Sequence, residues 1–519
     1  MNSKVLIFLL CLWCYAECYK ILVVYPFYVR SLNILGEGAV KHLLNDGHEV
    51  TFITTHPMEN PPTKNFRQIE ISSNSILFQG DETLTIQYIL QNGISHNDVL
   101  HLQQLAAENA RLTFQHENVI KLIQNTNEHF DAVVVDLFES EVYSGLAVLY
   151  NCPMIWLYSL GAHWQTLRLI ADPSNPSYNP DYMGTNVPPF NFATRVEELW
   201  ARVKWTFYKK FFTIPIERNI YEKTFGPLIE KQGRQLPDYE KVIFNVSMIF
   251  GNEHNAINFR PSTPQNFKYI GGFHIEDPAK PLPKDLQDLM DNAPYGVIYF
   301  SMGSFWKSKE IPEKLTRELL AVFGELKQTV IWKYEDDLKD SPKNVHTLRW
   351  APQQSILAHP NCKFFITHGG LLSSIESVHF GVPVIGIPVL FDQFTNINRA
   401  VSHKYALKVD LNWNLAKNLK SAINRMLSDD SFRKHVKEQS SIYHDSPVKP
   451  GAELVHWIRH TVRTRGAPHL RSPALNVPLY QRLYLDLVAL LIGILFILSK
   501  VLKRILKKNP NNIVKKKRQ

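Results

Sequence analysis

The sequence predicts an α/β protein of two doubly wound, parallel-sheet domains, followed by a transmembrane helix. Short apolar runs alternate with helix-periodic segments in both halves of the chain, as in parallel strands that are buried on both faces. Glycine and proline are concentrated in residues 271–284, which predicts a linker between the two halves. Residues 483–502 are apolar over about the length that crosses a bilayer.

The first half begins with a predicted strand, helix and strand. Residues 19–25 form an apolar run, residues 35–44 follow a helical period that ends at Asn45-Asp46-Gly47, and residues 48–54 form the next strand. Units of this kind are expected to be right-handed βαβ units. Further strands are predicted at residues 131–136, 152–158, 241–250, 295–300, 329–333, 344–348, 364–367 and 384–387, and a helix at 310–323.

The ends of the chain predict a membrane protein. Residues 1–18 resemble a secretory signal peptide, with Lys4, a short apolar core and Ala16-Glu17-Cys18 as the cleavage site. The basic tail, residues 503–519, is expected to be cytoplasmic, because loops rich in lysine and arginine stay on that side. Between these ends we expect an N-terminal domain at 19–275, a C-terminal domain at 285–445, and returning helices with a membrane-proximal segment at 446–482.

The basic charge of the chain belongs to its tail. The net charge is +9, and the tail from Lys500 onward holds nine cations and no anion, so the remainder is close to neutral. A nucleic-acid partner is therefore not expected. Three of the five cysteines, Cys11, Cys14 and Cys18, fall in the signal peptide, and Cys152 and Cys362 lie in different predicted domains, so no disulfide is expected.

The segment from residue 365 to residue 393 predicts a diphosphate site. An apolar run ends in His368-Gly369-Gly370, and a helix begins directly afterwards with Glu376 on its second turn. Free N–H groups and the helix dipole attract an anion at such a start. A second apolar run ends in Asp392-Gln393. No Asp-x-Asp pair occurs in the chain, which predicts a metal-free reaction without a cofactor.

This segment resembles the signature of the UDP-glycosyltransferases, the family that includes the UDP-glucuronosyltransferases. The resemblance implies a GT-B architecture of two facing domains, an N-terminal acceptor domain, a C-terminal domain that binds a UDP-sugar, and an endoplasmic-reticulum membrane location. Lys516-Lys517-Arg518-Gln519 resembles a dilysine retrieval signal, with plain electrostatic anchoring as the alternative. The sugar stays open between glucose and glucuronate. The expected partners are a small lipophilic acceptor, the membrane, and further copies or related transferases.

By the same resemblance, individual residues receive donor-binding roles. Trp350 would stack on uracil, Gln353 and Glu376 would contact the ribose, and Asp392 and Gln393 would bind the sugar. The phosphates would meet Ser304, His368, Gly370 and Ser373. Leu372 stands where the family often has asparagine, so that Ser373 or Ser374 would have to replace its side-chain donor.

The acceptor side departs from the family pattern at the position of the catalytic base. The family's catalytic histidine falls at Leu32 in this chain, whereas the aspartate that orients it matches Asp136. Leucine accepts no proton, and three interpretations stay open. The acceptors need no deprotonation, as with tertiary amines, acidic phenols and thiols; or Asp136 or His163 serves as the base; or the chain is a non-catalytic partner that binds UDP-sugar.

Three further features are left open by the sequence. Residues 197–214 mix aromatics with cations, which suits either a membrane interface or a helix packed over the acceptor pocket. The sequon Asn245-Val246-Ser247 falls inside a predicted strand, where it would be buried. His456 and His460 have metal-ligand spacing but no third ligand nearby in the sequence, which favours a role without metal. The acceptor pocket is expected to involve loops at 60–127 and 172–194.

Overall fold

The computed structural model describes residues 18–78, 85–92, 99–170, 175–181, 184–257 and 263–508. All but the last residue of the predicted signal peptide, and the tail beyond residue 508, lie outside the described residues. Two parallel sheets account for the strands of the described chain. Both are doubly wound, as the sequence predicts.

The N-terminal sheet has seven strands in the order β3-β2-β1-β4-β5-β6-β7, so that β1 and β4 lie near its centre. Its strands are β1 (Lys20–Tyr25), β2 (Glu49–Thr54), β3 (Phe66–Glu70), β4 (Ala132–Asp136), β5 (Met154–Tyr158), β6 (Met248–Gly251) and β7 (Phe267–Tyr269). Its helices are α1 (Arg30–Asn45), α2 (Ile86–Asn92), α3 (Val99–Gln115), α4 (Glu117–Gln124), α5 (Ser144–Tyr150), α6 (Trp164–Leu167), α7 (Phe192–Tyr208), α8 (Ile214–Lys231) and α9 (Tyr239–Ile243).

The C-terminal sheet has six strands in the order β10-β9-β8-β11-β12-β13. These are β8 (Val297–Ser301), β9 (Thr329–Lys333), β10 (Val345–Leu348), β11 (Cys362–Thr367), β12 (Val384–Gly386) and β13 (Ala406–Lys408). The helices that cover it and follow it are α10 (Lys284–Asp291), α11 (Glu313–Gly324), α12 (Gln353–Ala358), α13 (Leu371–His379), α14 (Gln393–Ser402), α15 (Leu415–Ser428), α16 (Ser431–His444), α17 (Pro450–Arg463), α18 (Leu479–Arg482) and α19 (Leu485–Lys508).

The chain returns from the C-terminal to the N-terminal domain through α17. Leu454 and Ile458 of this helix are fully buried in the apolar cluster that contains Leu35 and Ala39 of α1. The approach is close, since a Cβ atom on Gly451 would lie 2.0 Å from the ring of His42. Burial of this apolar face holds the end of the chain against the first domain.

Contacts across the cleft also join the two domains. Arg399 of α14 forms a buried ion pair with Glu253, which follows β6. Thr395 Oγ1, also on α14, donates to the carbonyl of Gly184 at 3.3 Å. In the linker, the carbonyl of Phe273 lies 2.7 Å from His42 Nε2 of α1. These contacts fix the position of the cleft between the sheets.

The predicted strand at 241–250 is wrong in its first half. Asp238 accepts hydrogen bonds from the N–H groups of Glu240 and Lys241 and thereby caps the short helix α9. The strand begins only at Met248. Asn245 therefore lies in a turn and is exposed, contrary to the expected burial of the sequon, and its Oδ1 accepts a hydrogen bond from Arg471 at 2.7 Å. Strands β3, β7 and β13 were not predicted; each forms an edge of its sheet.

The aromatic segment after residue 190 has one large side chain that packs inward and several that are exposed. Trp205 packs inward, with its ring centroid 5.1 Å from that of Trp164. Most of its large apolar neighbours are exposed: Phe192, Val196, Leu199, Trp200, Val203, Phe207, Phe211 and Phe212. Between α7 and α8 the backbone forms one π-helical turn, Lys209–Thr213, which turns Lys209 into the protein.

The C-terminal helix α19 agrees with the predicted span. Within the described chain, one helix is long and apolar enough to cross a membrane, Leu485–Lys507, and none of its apolar window is buried against the protein. The His456–His460 pair has no third metal ligand beside it, because the described residues contain no cluster of three or more potential ligands. Instead, His460 Nε2 lies 3.0 Å from His469 Nε2.

Candidate functional site

A cavity of about 520 Å³ lies between the carboxyl ends of the two sheets. Much of its lining comes from segments that directly follow strands, which is where ligands bind in open α/β sheets. All nine residues with a predicted donor role line it, and so does Leu32. They are Ser304, Trp350, Gln353, His368, Gly370, Ser373, Glu376, Asp392 and Gln393.

The glycine turn after β11 holds His368 between two glycines. A Cβ atom on Gly303 would lie 2.4 Å from His368 Cε1, and one on Gly370 would lie 2.6 Å from Nε2. Burial lowers the pKa of His368 to about 4, and Lys333 adds to this effect. The imidazole is therefore neutral at pH 7, so that it offers a hydrogen bond and no charge. The N–H groups of the first turn of α13 supply the positive potential beside it.

Glu376 is the centre of a hydrogen-bond network on the next turn of α13. Gln353 Nε2 donates to Glu376 Oε2 at 2.5 Å, and Gln354 Nε2 donates to Oε1 at 3.1 Å. His274 Nε2, from the linker, lies 3.3 Å from Oε1. Gln353 also donates to Ser373 Oγ at 3.0 Å. The network fixes the carboxylate in the cavity wall, and its remaining lone pairs can accept the two hydroxyls of a ribose.

The opposite side of this pocket is open and aromatic. The Trp350 side chain follows β10 and is 57% exposed, so that its flat face is available to a base. Lys333 Nζ lies 5.6 Å from the centre of the Trp350 ring and donates to the Gly303 carbonyl at 3.0 Å. Lys333 Nζ also pairs with Glu335 Oε1 at 2.6 Å, so that it reaches the turn that carries Ser304 as one member of an ion pair. Sequence reasoning missed this lysine.

Asp392 and Gln393 are fixed at the start of α14. Asn396 Nδ2 donates to Asp392 Oδ2 at 2.6 Å and to the Gly369 carbonyl at 3.0 Å, which ties the carboxylate to the glycine turn. Burial raises the pKa of Asp392 to about 6. Gln393 Oε1 accepts from the N–H groups of Val389 and Leu390. Both side chains are therefore held in place before any ligand binds.

The two departures from the expected pattern are both leucines on the cavity wall. Leu32 lies in the first turn of α1, and Leu372 lies in the first turn of α13. Both pack against the apolar cluster of the N-terminal sheet. Ser374 Oγ donates to the Gly370 carbonyl at 3.1 Å, back along its own helix. Ser373, which lines the cavity, is therefore the better replacement for the missing asparagine.

Asp136 and His163, the two predicted alternatives for a base, are not among the cavity-lining residues. Asp136 is buried at the end of β4, where Ser159 Oγ donates to its Oδ1 at 2.5 Å. Its Oδ2 has no hydrogen-bond partner, and burial raises its pKa to about 7. His163 Nε2 lies 3.1 Å from Asp181 Oδ1. Ser159, its hydrogen-bond partner, does line the cavity.

Comparison with known proteins identifies the family. The family model described as "UDP-glucoronosyl and UDP-glucosyl transferase" matches residues 20–519. The chain belongs to this family. UDP-glucosyltransferase 2 of Dactylopius coccus is 30% identical over 479 residues, covering 91% of this chain and 90% of the relative. Human UDP-glucuronosyltransferase 2B10 is 27% identical over 506 residues, covering 93% of each chain.

The solved structures confirm the GT-B fold of this UDP-glycosyltransferase. A UDP-glucosyltransferase from Polygonum tinctorium superimposes with a TM-score of 0.55 at 16% identity, over 86% of this chain and 99% of the other. The spinosyn forosaminyltransferase SpnP gives a TM-score of 0.56 at 16% identity, over 86% of this chain and the whole of the other. Sugar transfer from a UDP-sugar is the chemistry of the family.

The N-terminal wall of the cavity in this UDP-glycosyltransferase is largely apolar. Leu102 and Leu105 of α3 fall within the predicted loop region 60–127 but lie on a helix. They face the cavity together with Phe27, Phe138 and Leu160. The described part of the other predicted region, 172–194, does not line it; Gly184 instead contacts α14. The wall also carries four charged residues that were not predicted as site residues from the sequence: Arg30, Glu37, Lys41 and Glu139.

Proposed function

We propose that this chain transfers a hexose, glucose or glucuronate, from a UDP-sugar to small lipophilic acceptors, with inversion and without a metal ion. The observation that carries the proposal is the convergence of the nine donor residues on one cavity whose other wall is apolar. Nucleoside, sugar and acceptor then lie in sequence across the cleft. The acceptor approaches from the N-terminal wall, on the side opposite the diphosphate, which favours inversion at the sugar carbon.

The diphosphate is the leaving group and must be stabilised as negative charge develops. The N-terminus of α13, neutral His368 and the Lys333 ammonium surround the place where it would lie. Fixed dipoles and one cation can perform this role without a metal ion. The absence of an Asp-x-Asp pair from the sequence supports the same proposal.

The proposal predicts that UDP binds and that sugar is transferred in the presence of EDTA. UDP at about 100 times its dissociation constant should raise the free energy of unfolding by about 2.7 kcal/mol. The measurement is a thermal shift with UDP, followed by a screen of UDP-glucose and UDP-glucuronate against phenol and tertiary-amine acceptors. Strict dependence on manganese, or no response to uridine nucleotides, would contradict it.

A non-catalytic UDP-sugar-binding partner of active relatives is the second candidate function. Leu32 in the place of a base and the unpartnered Oδ2 of Asp136 favour it. The same screen separates the two candidates when it is repeated with Leu32→His. UDP binding without transfer to any acceptor, in both the wild type and Leu32→His, supports the partner role. Association with related transferases stays a prediction.

We also propose a type I orientation in the endoplasmic-reticulum membrane, with the two domains lumenal and the tail cytoplasmic. The exposed helix Leu485–Lys507 and the nine cations from Lys500 onward support it. A chain that ends at Arg482 is expected to leave the membrane, whereas the full chain resists carbonate extraction. A shortened chain that also resists extraction would show that another segment is embedded, and the exposed aromatic face of α7 would be the first to test.

A further inference from the structure

Glu139 is a carboxyl group on the acceptor wall in an uncommon backbone conformation. It follows β4 by three residues and lines the cavity. Its φ is +54°, in the left-handed region of backbone conformation, which residues other than glycine, asparagine and aspartate rarely adopt. Lys209, which the π-helical turn directs inward, donates from Nζ to the Glu139 carbonyl at 2.9 Å. The surrounding structure therefore stabilises a conformation that costs free energy, as often happens at functional sites.

The Glu139 carboxylate is aimed by two neutral donors. Trp205 Nε1 lies 3.1 Å from Oε2. With the Gln165 amide oriented to satisfy its neighbours, its nitrogen donates to Oε1 at 2.8 Å. Its oxygen then accepts from Trp205 Nε1 at 2.7 Å, so that Gln165 and Glu139 share the single indole N–H. A carboxylate has about four acceptor positions, so hydrogen bonding of this kind leaves capacity to accept a proton from a ligand.

Burial outweighs the cations around Glu139, so that its pKa lies near neutral pH. Burial raises its pKa to about 7, and Glu141 adds to this effect, while Lys209 and Arg168 oppose it. Lys209 is shared, because its Nζ lies 2.6 Å from Glu141 Oε2 and 3.0 Å from Glu217 Oε1. Arg168 is also paired with Glu141. A carboxylate with a pKa near the working pH combines a large ionised fraction with useful basicity.

The other titratable side chains of the N-terminal wall named here either form ion pairs or stay protonated near neutral pH. Glu37 pairs with Arg30 at 2.5 Å, and Lys41 pairs with Glu276 at 3.0 Å. Tyr158 also lines the cavity, and its pKa is raised well above the usual value by burial, with the carboxylates of Glu139 and Asp392 contributing.

We propose that Glu139 is the catalytic base of this chain, in the role that Leu32 cannot fill. The inference rests on the proposed transferase function. In the step, the acceptor O–H proton passes to the Glu139 carboxylate as the oxygen forms its bond to the anomeric carbon. The bond from that carbon to the diphosphate oxygen breaks, and UDP leaves with the electron pair. Glu139 then returns the proton to solvent, so no further reactant is needed.

Glu139→Gln tests the assignment, because glutamine keeps the shape and accepts no proton. For a phenol acceptor, kcat/KM is expected to fall by about 10²- to 10⁴-fold, the usual contribution of a general base. The loss should shrink with more acidic phenols. In the wild type, kcat/KM should rise with pH through about 7 as the carboxyl ionises; in Glu139→Gln this rise should be absent. The thermal shift caused by UDP should be retained.

Two further variants complete the design. Asp136→Asn is the comparison, because it alters a buried carboxyl that does not border the cavity. Leu32→His in the Glu139→Gln background should restore phenol transfer, since it returns a base to the family's position beside Asp136. If Glu139→Gln does not fold, the wild-type pH profile and chemical rescue of Glu139→Ala by formate decide the question.

The outcomes distinguish failure of the Glu139 assignment from failure of the proposed transferase function. If phenol transfer and the pH profile are unchanged in Glu139→Gln, Glu139 is not the base, although the transferase function is not contradicted. The same conclusion follows if the expected loss appears in Asp136→Asn instead. A wild-type profile that is flat between about pH 6 and 8 also overturns the base. Bound UDP with no transfer by the wild type to any acceptor overturns both proposals.

Discussion

Replacing Gly303 by alanine is expected to weaken UDP binding by at least about tenfold, which corresponds to about 1.4 kcal/mol. The new Cβ would lie 2.4 Å from His368 Cε1, so the imidazole must leave its position beside the start of α13. The backbone at Gly303 also has φ +84°, where an L-residue costs roughly 1–2 kcal/mol. Calorimetric titration with UDP measures the loss of affinity, and thermal unfolding measures the cost to the fold.

Gly47→Ala is a matched control for this change. Gly47 has nearly the same backbone conformation, φ +88°, but a Cβ there would meet nothing within 4 Å. It ends the turn between α1 and β2, away from the cavity. Gly47→Ala should show the cost of the backbone conformation alone, Gly303→Ala should lose at least as much stability, and only Gly303→Ala should lose UDP affinity. Equal UDP affinity in the two variants would show that the diphosphate does not bind beside His368.

Replacing Lys209 by methionine is expected to lower the free energy of unfolding of the N-terminal domain by about 3–5 kcal/mol, the typical cost of breaking a buried ion pair. Lys209 is the shared cation of Glu141 and Glu217, and all three side chains are at least 96% buried. Without it, two carboxylates would stay buried near each other. The deficit should shrink as the pH falls, because these carboxyls can then take up protons.

The adjacent residue provides the control for this second change. Lys210 is exposed, so that Lys210→Met should alter stability by no more than about 0.5 kcal/mol. Denaturant unfolding of both variants at about pH 5 and pH 8 measures the difference and its pH dependence. A small effect of Lys209→Met at both pH values would show that the buried carboxyls are already neutral. Since Lys209 also holds the Glu139 carbonyl, the variant should lose phenol transfer as well.

The donor and acceptor walls differ in how far the sequence anticipates them. On the donor side, each chemical group lies within a few residues of a strand end and a helix start, as with His368, Gly370 and Glu376 in one βα unit. Local rules of strand, turn and helix therefore place them without knowledge of the rest of the chain. Lys333 was missed because a lysine that ends a strand gives no sign of the wall it will face.

The acceptor side depends on contacts between distant segments. Glu139 receives its orientation from Trp205 and Lys209, which are 66 and 70 residues away in the chain. No motif around residue 139 indicates these partners. The mistaken strand at 241–250 has a similar origin: the apolar run is genuine, but the Asp238 cap begins a helix, and the neighbouring strand β5 pairs only from Met248 onward.

The sequence by itself determined the two α/β domains, the glycine turn that faces the cleft and the leucine in the place of a base, because hydrophobic period, glycine and charge act over a few residues. Only the tertiary structure decided which carboxyl faces the acceptor. Asp136 ends β4 and Glu139 follows it by three residues, yet the first is buried against Ser159 and the second is on the cavity wall. The physical reason is that burial and hydrogen bonding of a side chain are set by whichever distant segments pack around it.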